Sequence, residues 1–114
     1  MPGIATLRRR PEFLAVAASG RKWAAPGLIL QMGLPRESSA PARYGLTASS
    51  KVGGAVVRNR ARRRLRALAV EILPHHAAAR DYVLIARSTT ATRAFSDLRQ
   101  DLVTALRKLG AWHE

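Results

Sequence analysis

Between Arg58 and Arg66 the chain reads Arg58-Asn59-Arg60-Ala61-Arg62-Arg63-Arg64-Leu65-Arg66, six arginines in nine residues. A guanidinium is a planar fork of donors that stays charged and matches the oxygens of a phosphate. No acidic residue lies between Val52 and Val70, so the six charges repel one another unless an outside anion relieves them. The pattern points to a polyanion. Because arginine also stacks on unpaired bases, it points to a nucleic acid first. The competing reading is a solvated charged helix face, and the acid-free stretch weighs against it.

Other chemistries are poorly supplied. His75 and His76 are adjacent and therefore splay apart, and His113 sits near the end of the chain, so no histidine has companions at metal-ligand spacing. Asp97 and Asp101 are one helical turn apart, which would permit joint metal contact, but Arg93, Arg99, Arg107 and Lys108 make surface ion pairing their expected role. Ser49 and Ser50 have no base near them in sequence, which argues against a hydrolytic nucleophile. The expectation is no catalytic residue and no protein-held metal. The chain has no cysteine, which excludes a disulfide framework and a thiolate zinc site. Gly53-Gly54, between Lys51 and Arg58, could cradle a phosphate through backbone N–H groups at a helix start, and plain turn geometry accounts for the same residues equally well. The GxxxxGK[ST] spacing of a nucleotide-binding loop is absent. Phe13, Trp23 and Tyr44 are aromatics among basic residues, each able to stack on a single-stranded base, with core packing as the competing role.

These residues need elements to hold them. Val57, Ala61, Leu65, Leu68 and Ile72 fall on one stripe at helical spacing, so the arginine run belongs to an amphipathic helix predicted from about Ala55 to Leu73 and ended by Pro74. Asn59, Arg62, Arg63 and Arg66 point away from the stripe, while Arg58 and Arg64 lie nearer its borders. Pro11 and Glu12 open a short helix that runs through Ala18 and stops at Gly20, with Leu14, Ala17 and Ala18 as its inward residues, widened by Phe13 and Val16. Strands are predicted at Leu28 to Met32, Arg43 to Ser49 and Asp81 to Arg87. The second of these places Tyr44, Leu46 and Ala48 on one face. Gly33 to Ala42 and Ser88 to Thr92 are polar connections, and His75 to Arg80 is a short one. Phe95, Leu98, Leu102, Leu106 and Leu109 mark a closing helix stopped at Gly110.

The order α-β-β-α-β-α in 114 residues fits one α+β domain, with residues 1–9 as a flexible basic arm. A net charge of +13 makes nucleic acid the first partner to consider and an anionic membrane the second. No apolar run approaches the roughly 20 residues of a membrane span. The start, Arg8-Arg9-Arg10 followed by Pro11-Glu12 with no uninterrupted apolar segment, does not read as secretory, and no secretory leader is expected. A cytoplasmic protein without a membrane partner is expected.

The segment Ser50-Lys51-Val52-Gly53-Gly54-Ala55-Val56-Val57-Arg58-Asn59-Arg60, continuing through Arg66, closely resembles the signature of the bacterial ribonuclease P protein family. Arg10, Glu12, Phe13, Val16 and Gly20 resemble that family's opening helix, Arg43-Tyr44-Gly45-Leu46 its second strand, and Asp81 to Arg87 its late strand. The similarity covers about residues 7 to 110. It implies a compact two-layer α/β sandwich with a left-handed βαβ crossover. The implied role is accessory subunit of an endoribonuclease in which a catalytic RNA removes the 5′ leader from precursor tRNA. The chemistry would be carried by magnesium bound mainly by the RNA. The implied partners are the ribonuclease P RNA and the leader, with no obligate protein partner. Carried over by position, Lys51, Arg58, Asn59, Arg60, Arg62, Arg63 and Arg66 form the RNA-facing segment. Phe13, with Trp23 and Tyr44 as aromatic neighbours, lines the leader cleft. The chain departs from the family pattern at Ser50, where a lysine is common, at Gly54, where asparagine is common, and at Ala17 and Gln31, where aromatics are common. The alternatives are a structural RNA-binding protein such as a ribosomal component, and a DNA-reading helix. The second is disfavoured because no short helix precedes the basic one in helix-turn-helix fashion.

Overall fold

The computed structural model describes residues 4–37 and 40–114. Its strands are β1 (Ala5–Thr6), β2 (Arg21–Ala24), β3 (Leu28–Pro35), β4 (Arg43–Thr47) and β5 (Arg80–Ala86), and its helices are α1 (Arg10–Ala18), α2 (Ala55–His76) and α3 (Phe95–Lys108). The strands form one mixed sheet in the order β1-β4-β5-β3-β2. β4 runs parallel to both β1 and β5, and β3 is antiparallel to β5 and β2. The helix with the arginines is thus the crossover between two adjacent parallel strands, β4 and β5.

The central strand β5 explains the layering. Tyr82, Leu84 and Ala86 join the main core with Leu65, Leu68, Leu98, Leu102 and Leu106 of α2 and α3, while Val83 packs on the other face with Val16 and Leu7, flanked by Phe13 and Ile85. Covering both faces makes this strand a continuous apolar run instead of an alternating one. α2 and α3 cover one face of the sheet, and the short α1 lies on the other, against β3 and β5.

Several boundaries differ from the sequence expectation. Ala5–Thr6, inside the expected flexible arm, pairs with Arg43 and Tyr44, and the Leu7 amide donates to the Tyr44 carbonyl at 2.7 Å while its side chain is buried. Residues 1–3 of that arm and 38–39 of the expected loop lie outside the described residues. β2 was not expected, because Arg21-Lys22-Trp23-Ala24 has no apolar alternation. It is an exposed edge strand, where charges discourage pairing with another chain. β3 continues to Pro35, past the expected end at Met32. In α1 the inward residues are Val16 and, half-buried, Phe13, whereas Leu14, Ala17 and Ala18 are exposed. The rotation of α1 is set by Glu12, which accepts from the Arg8 and Arg9 amides at 2.9 Å each and meets Arg43 at 3.3 Å. Pro74 does not end α2, which continues to His76. Val70, whose carbonyl the missing N–H would have met, is exposed, so water can serve that carbonyl.

Candidate nucleic-acid interface

α2 begins after a 3-10 turn, Ser50–Val52, that buries Val52 and leaves Lys51 exposed. The two glycines that follow are not equivalent. Gly53 has φ +147°, and a Cβ there would stand 3.0 Å from the Val57 side chain, so both backbone and space call for glycine. Gly54 has ordinary backbone angles and open space around it, and its carbonyl accepts the Arg58 amide at 2.9 Å as the helix starts. Turn geometry therefore accounts for Gly53, and the asparagine common in the family at the second position would fit here.

Along α2 the buried stripe is Ala61, Leu65, Leu68, Ala69, Ile72 and Leu73. At 100° per residue, Arg62 and Arg66 flank one border of it and Arg60 and Arg64 the other, with Arg63 on the crest between. Arg62 and Arg66, expected to point away from the stripe, lie beside its border and line both a groove against the sheet and an outer concavity with Asn59 and Arg63. The arginines also differ in what they bind. Arg64 donates to the carbonyls of Thr90 and Arg93 and is a structural cross-link from α2 to the turn before α3. Arg62 donates to Asn59 Oδ1 at 3.2 Å and to the Ala48 carbonyl at 3.4 Å, so Asn59 acts first by orienting Arg62. Arg58 is half-buried with its Nε buried and unpartnered. Among the described residues Arg60, Arg63 and Arg66 pair with no carboxylate or carbonyl. Three exposed guanidiniums without a partner among the described residues concentrate positive charge along the outer side of α2.

The groove beside them holds about 250 Å³ and is lined by Thr6, Leu7, Phe13, Tyr44, Gly45, Leu46, Arg62 and Arg66. A shallower concavity lined by Arg10, Phe13, Leu46 and Thr47 continues from it. The groove exists because β1 pairs only with Arg43 and Tyr44, leaving the β4 edge from Gly45 onward without a strand partner. Phe13 lies directly on Gly45: a Cβ on that glycine would be 2.5 Å from Phe13 Cε1. A network fixes this arrangement, with Arg43 donating to both Asp81 oxygens at 2.8 and 2.6 Å while also reaching Glu12. Glu12 is held below the ordinary carboxylate range, chiefly by the Arg9 amide, then by the Arg8 amide, with the Arg43 charge adding to them.

Two of the three expected cleft aromatics do not present an open ring to this groove. Tyr44 is 4% exposed, with its ring in the main core, because it shares the α2 face of the sheet with its register partner Tyr82. Trp23 sits on β2, at the sheet edge opposite β1, facing α3, where the Lys108 ammonium lies 5.7 Å from its ring centre. Phe13 lines the groove with Arg62 and Arg66, while the buried Tyr44 adds only to its wall, and both are accompanied by Leu46 and Thr6, which the sequence did not mark as site residues. The alternation of the β4 segment could have marked Leu46, and nothing local marked Thr6. Asp101, expected in a surface pair, is buried, and Arg93 Nε donates to it at 2.6 Å. Gln31 is half-buried on β3, and Ala17 is exposed on α1.

The family model described as Ribonuclease P matches residues 1–110. The chain is 51% identical over 109 residues to the ribonuclease P protein component of Paramagnetospirillum magneticum, covering 92% of this chain and 82% of that one. It is 31% identical over 104 residues to the corresponding component of Bacillus cereus, covering 91% of this chain and 90% of that one. Among solved structures, the ribonuclease P protein of Staphylococcus aureus superposes with a TM-score of 0.79 at 20% identity, covering 95% of this chain and 97% of that one. That of Thermotoga maritima superposes with 0.72 at 21% identity, covering 87% and 92%. The structural likenesses carry the fold, the sequence likenesses carry the relationship, and together they establish that this chain belongs to the ribonuclease P protein family.

Proposed function

We propose that the chain is the accessory subunit of a ribonuclease P ribonucleoprotein, in which a catalytic RNA removes the 5′ leader of precursor tRNA in the cytoplasm. The observation that carries this reading is the adjacency of free guanidiniums on α2 to a groove, lined by Phe13, Leu46, Arg62 and Arg66, that is open along a strand edge. Arg60, Arg63 and Arg66, with Lys51 at the helix start, neutralise phosphates of the catalytic RNA. Arg62, oriented by Asn59, faces the groove, where the single-stranded leader lies with a base against Phe13.

The donor set of this region does not suit a divalent cation. The groove is lined by cationic and apolar groups, while Glu12, Asp81, Asp101 and Glu71 are each tied to an arginine elsewhere. Magnesium is therefore assigned to the RNA, and the protein's share of the work is binding and orientation.

Reconstitution tests the reading. The full chain is mixed with a bacterial ribonuclease P RNA at low magnesium, and cleavage of precursor tRNA is timed with long and short leaders. Stimulation that depends on leader length is expected. If cleavage does not change on adding the protein, the accessory-subunit reading fails.

A further inference from the structure

The border of α2 away from the groove carries a second concavity. Arg60, Arg63, Arg64 and Ala67 line it together with Phe95, the first residue of α3, and it holds about 290 Å³. Phe95 is half-buried, and two guanidinium carbons lie over its ring, that of Arg99 at 5.1 Å and that of Arg64 at 5.6 Å from the centroid. Both cations are anchored. Arg64 is tied to the carbonyls of Thr90 and Arg93, and Arg99 donates to the two Glu71 oxygens at 2.7 and 3.2 Å. Their N–H edges face protein, which leaves them little to offer a phosphate. Arg60 and Arg63 are the reverse, free of partners among the described residues and exposed.

The concavity thus joins the part of the Phe95 ring that lines it, with the Arg64 guanidinium held beside that ring, to two uncommitted positive charges. It also holds an unrelieved repulsion: the pKa of Arg64 is lowered, first by burial and then by the charge of Arg60. Packing of Phe95 against the core accounts for the ring. The carbonyl bonds of Arg64 account for its place, but among the described residues no carboxylate pairs with Arg60 or Arg63 beside it. An anion removes that cost, and a flat apolar ring supplies the other half of a nucleotide's surface.

We infer that this concavity is a pocket for one unpaired nucleotide of the RNA partner, its base against Phe95 and its phosphate between Arg60 and Arg63. The inference rests on the proposed function for the partner being an RNA, and it goes beyond it by adding a stacking site distinct from the leader groove. Because the two sites occupy opposite borders of α2, one RNA strand can sit at Phe95 while the leader occupies the Phe13 groove.

The test measures affinity of the full chain for a bacterial ribonuclease P RNA across a salt series, using Phe95→Leu, Phe95→Trp and the pair Arg60→Gln/Arg63→Gln. Phe95→Leu is expected to weaken binding about ten-fold, the scale of one lost base stack, with no change in salt slope or in leader dependence. Phe95→Trp restores affinity, and the arginine pair lowers the salt slope by about two. Native affinity in Phe95→Leu, or equal losses in Leu and Trp variants, overturns the pocket. Should Phe95→Leu fold poorly, the Trp variant decides together with the arginine pair, since both changes lie at the surface of the concavity. If the unaltered protein neither binds the RNA nor stimulates cleavage, the functional reading itself has failed. Stimulation that persists with indifferent Phe95 variants removes only the pocket.

Discussion

The ring of Phe13 rests on the backbone of Gly45, so closely that a methyl group there would be 2.5 Å from Cε1. This contact sets the floor of the groove, because α1 can approach the β4 edge only where the strand carries no side chain on that face. Gly45→Ala is expected to destabilise the fold by about 1–3 kcal/mol, the usual cost of overpacking, and to weaken leader binding together with it. Gly54→Ala, in open space, should stay within about 0.5 kcal/mol of the parent. Urea unfolding of both variants checks the contrast.

Arg64 and Arg63 are neighbours in sequence with opposite tasks. Arg63→Ala should lower the salt slope of log affinity by about one and leave stability nearly unchanged. Arg64→Ala leaves the Thr90 and Arg93 carbonyls without their donor and should cost about 1–3 kcal/mol of stability. Salt titrations run beside thermal melts separate the two.

Asn59→Ala removes the acceptor that holds Arg62 without altering the net charge. Affinity for the precursor is expected to fall several-fold, about 1 kcal/mol for one lost orienting hydrogen bond, with the salt slope kept. A reduced slope would mean that Arg62 had left its phosphate altogether.

Phe13→Ala and Trp23→Ala should separate cleanly, since Phe13 lines the groove and Trp23 does not. The first is expected to abolish much of the difference between long-leader and short-leader substrates, the second to leave it intact. Cleavage assays with paired substrates are the measurement.

Glu12 supplies a pH dependence. Its carboxyl titrates below the usual 4.5 in the folded protein, so below that value the unfolded chain binds the proton more readily. Its contribution is complete above about 4.5 and disappears as pH falls through the folded value. Glu71, lowered by its hydrogen bonds from Arg99, adds a loss of the same sign. Unfolding midpoints between neutral pH and about pH 3 should fall, and Glu12→Gln should flatten part of that decline.

Much of this protein was legible along the chain. The arginine helix, its buried stripe, the strand through Tyr82 to Ala86 and the closing helix follow from periodicity, and the order of elements and the family resemblance follow from the residues themselves. These are local properties, since a period of 3.6 or 2 is imposed by backbone geometry wherever one face is buried. β1 and β2 were not legible, because Ala5–Thr6 and Arg21–Ala24 are strands only by pairing with Tyr44 and Leu30 across the sheet. The same limit governed the site. Sequence identified which residues are cationic or aromatic, but Tyr44 became core, Trp23 went to the far edge, Arg64 became a cross-link and Phe95 joined the arginines. A side chain's availability depends on what the fold places against it, and sequence spacing carries no record of contacts made across elements.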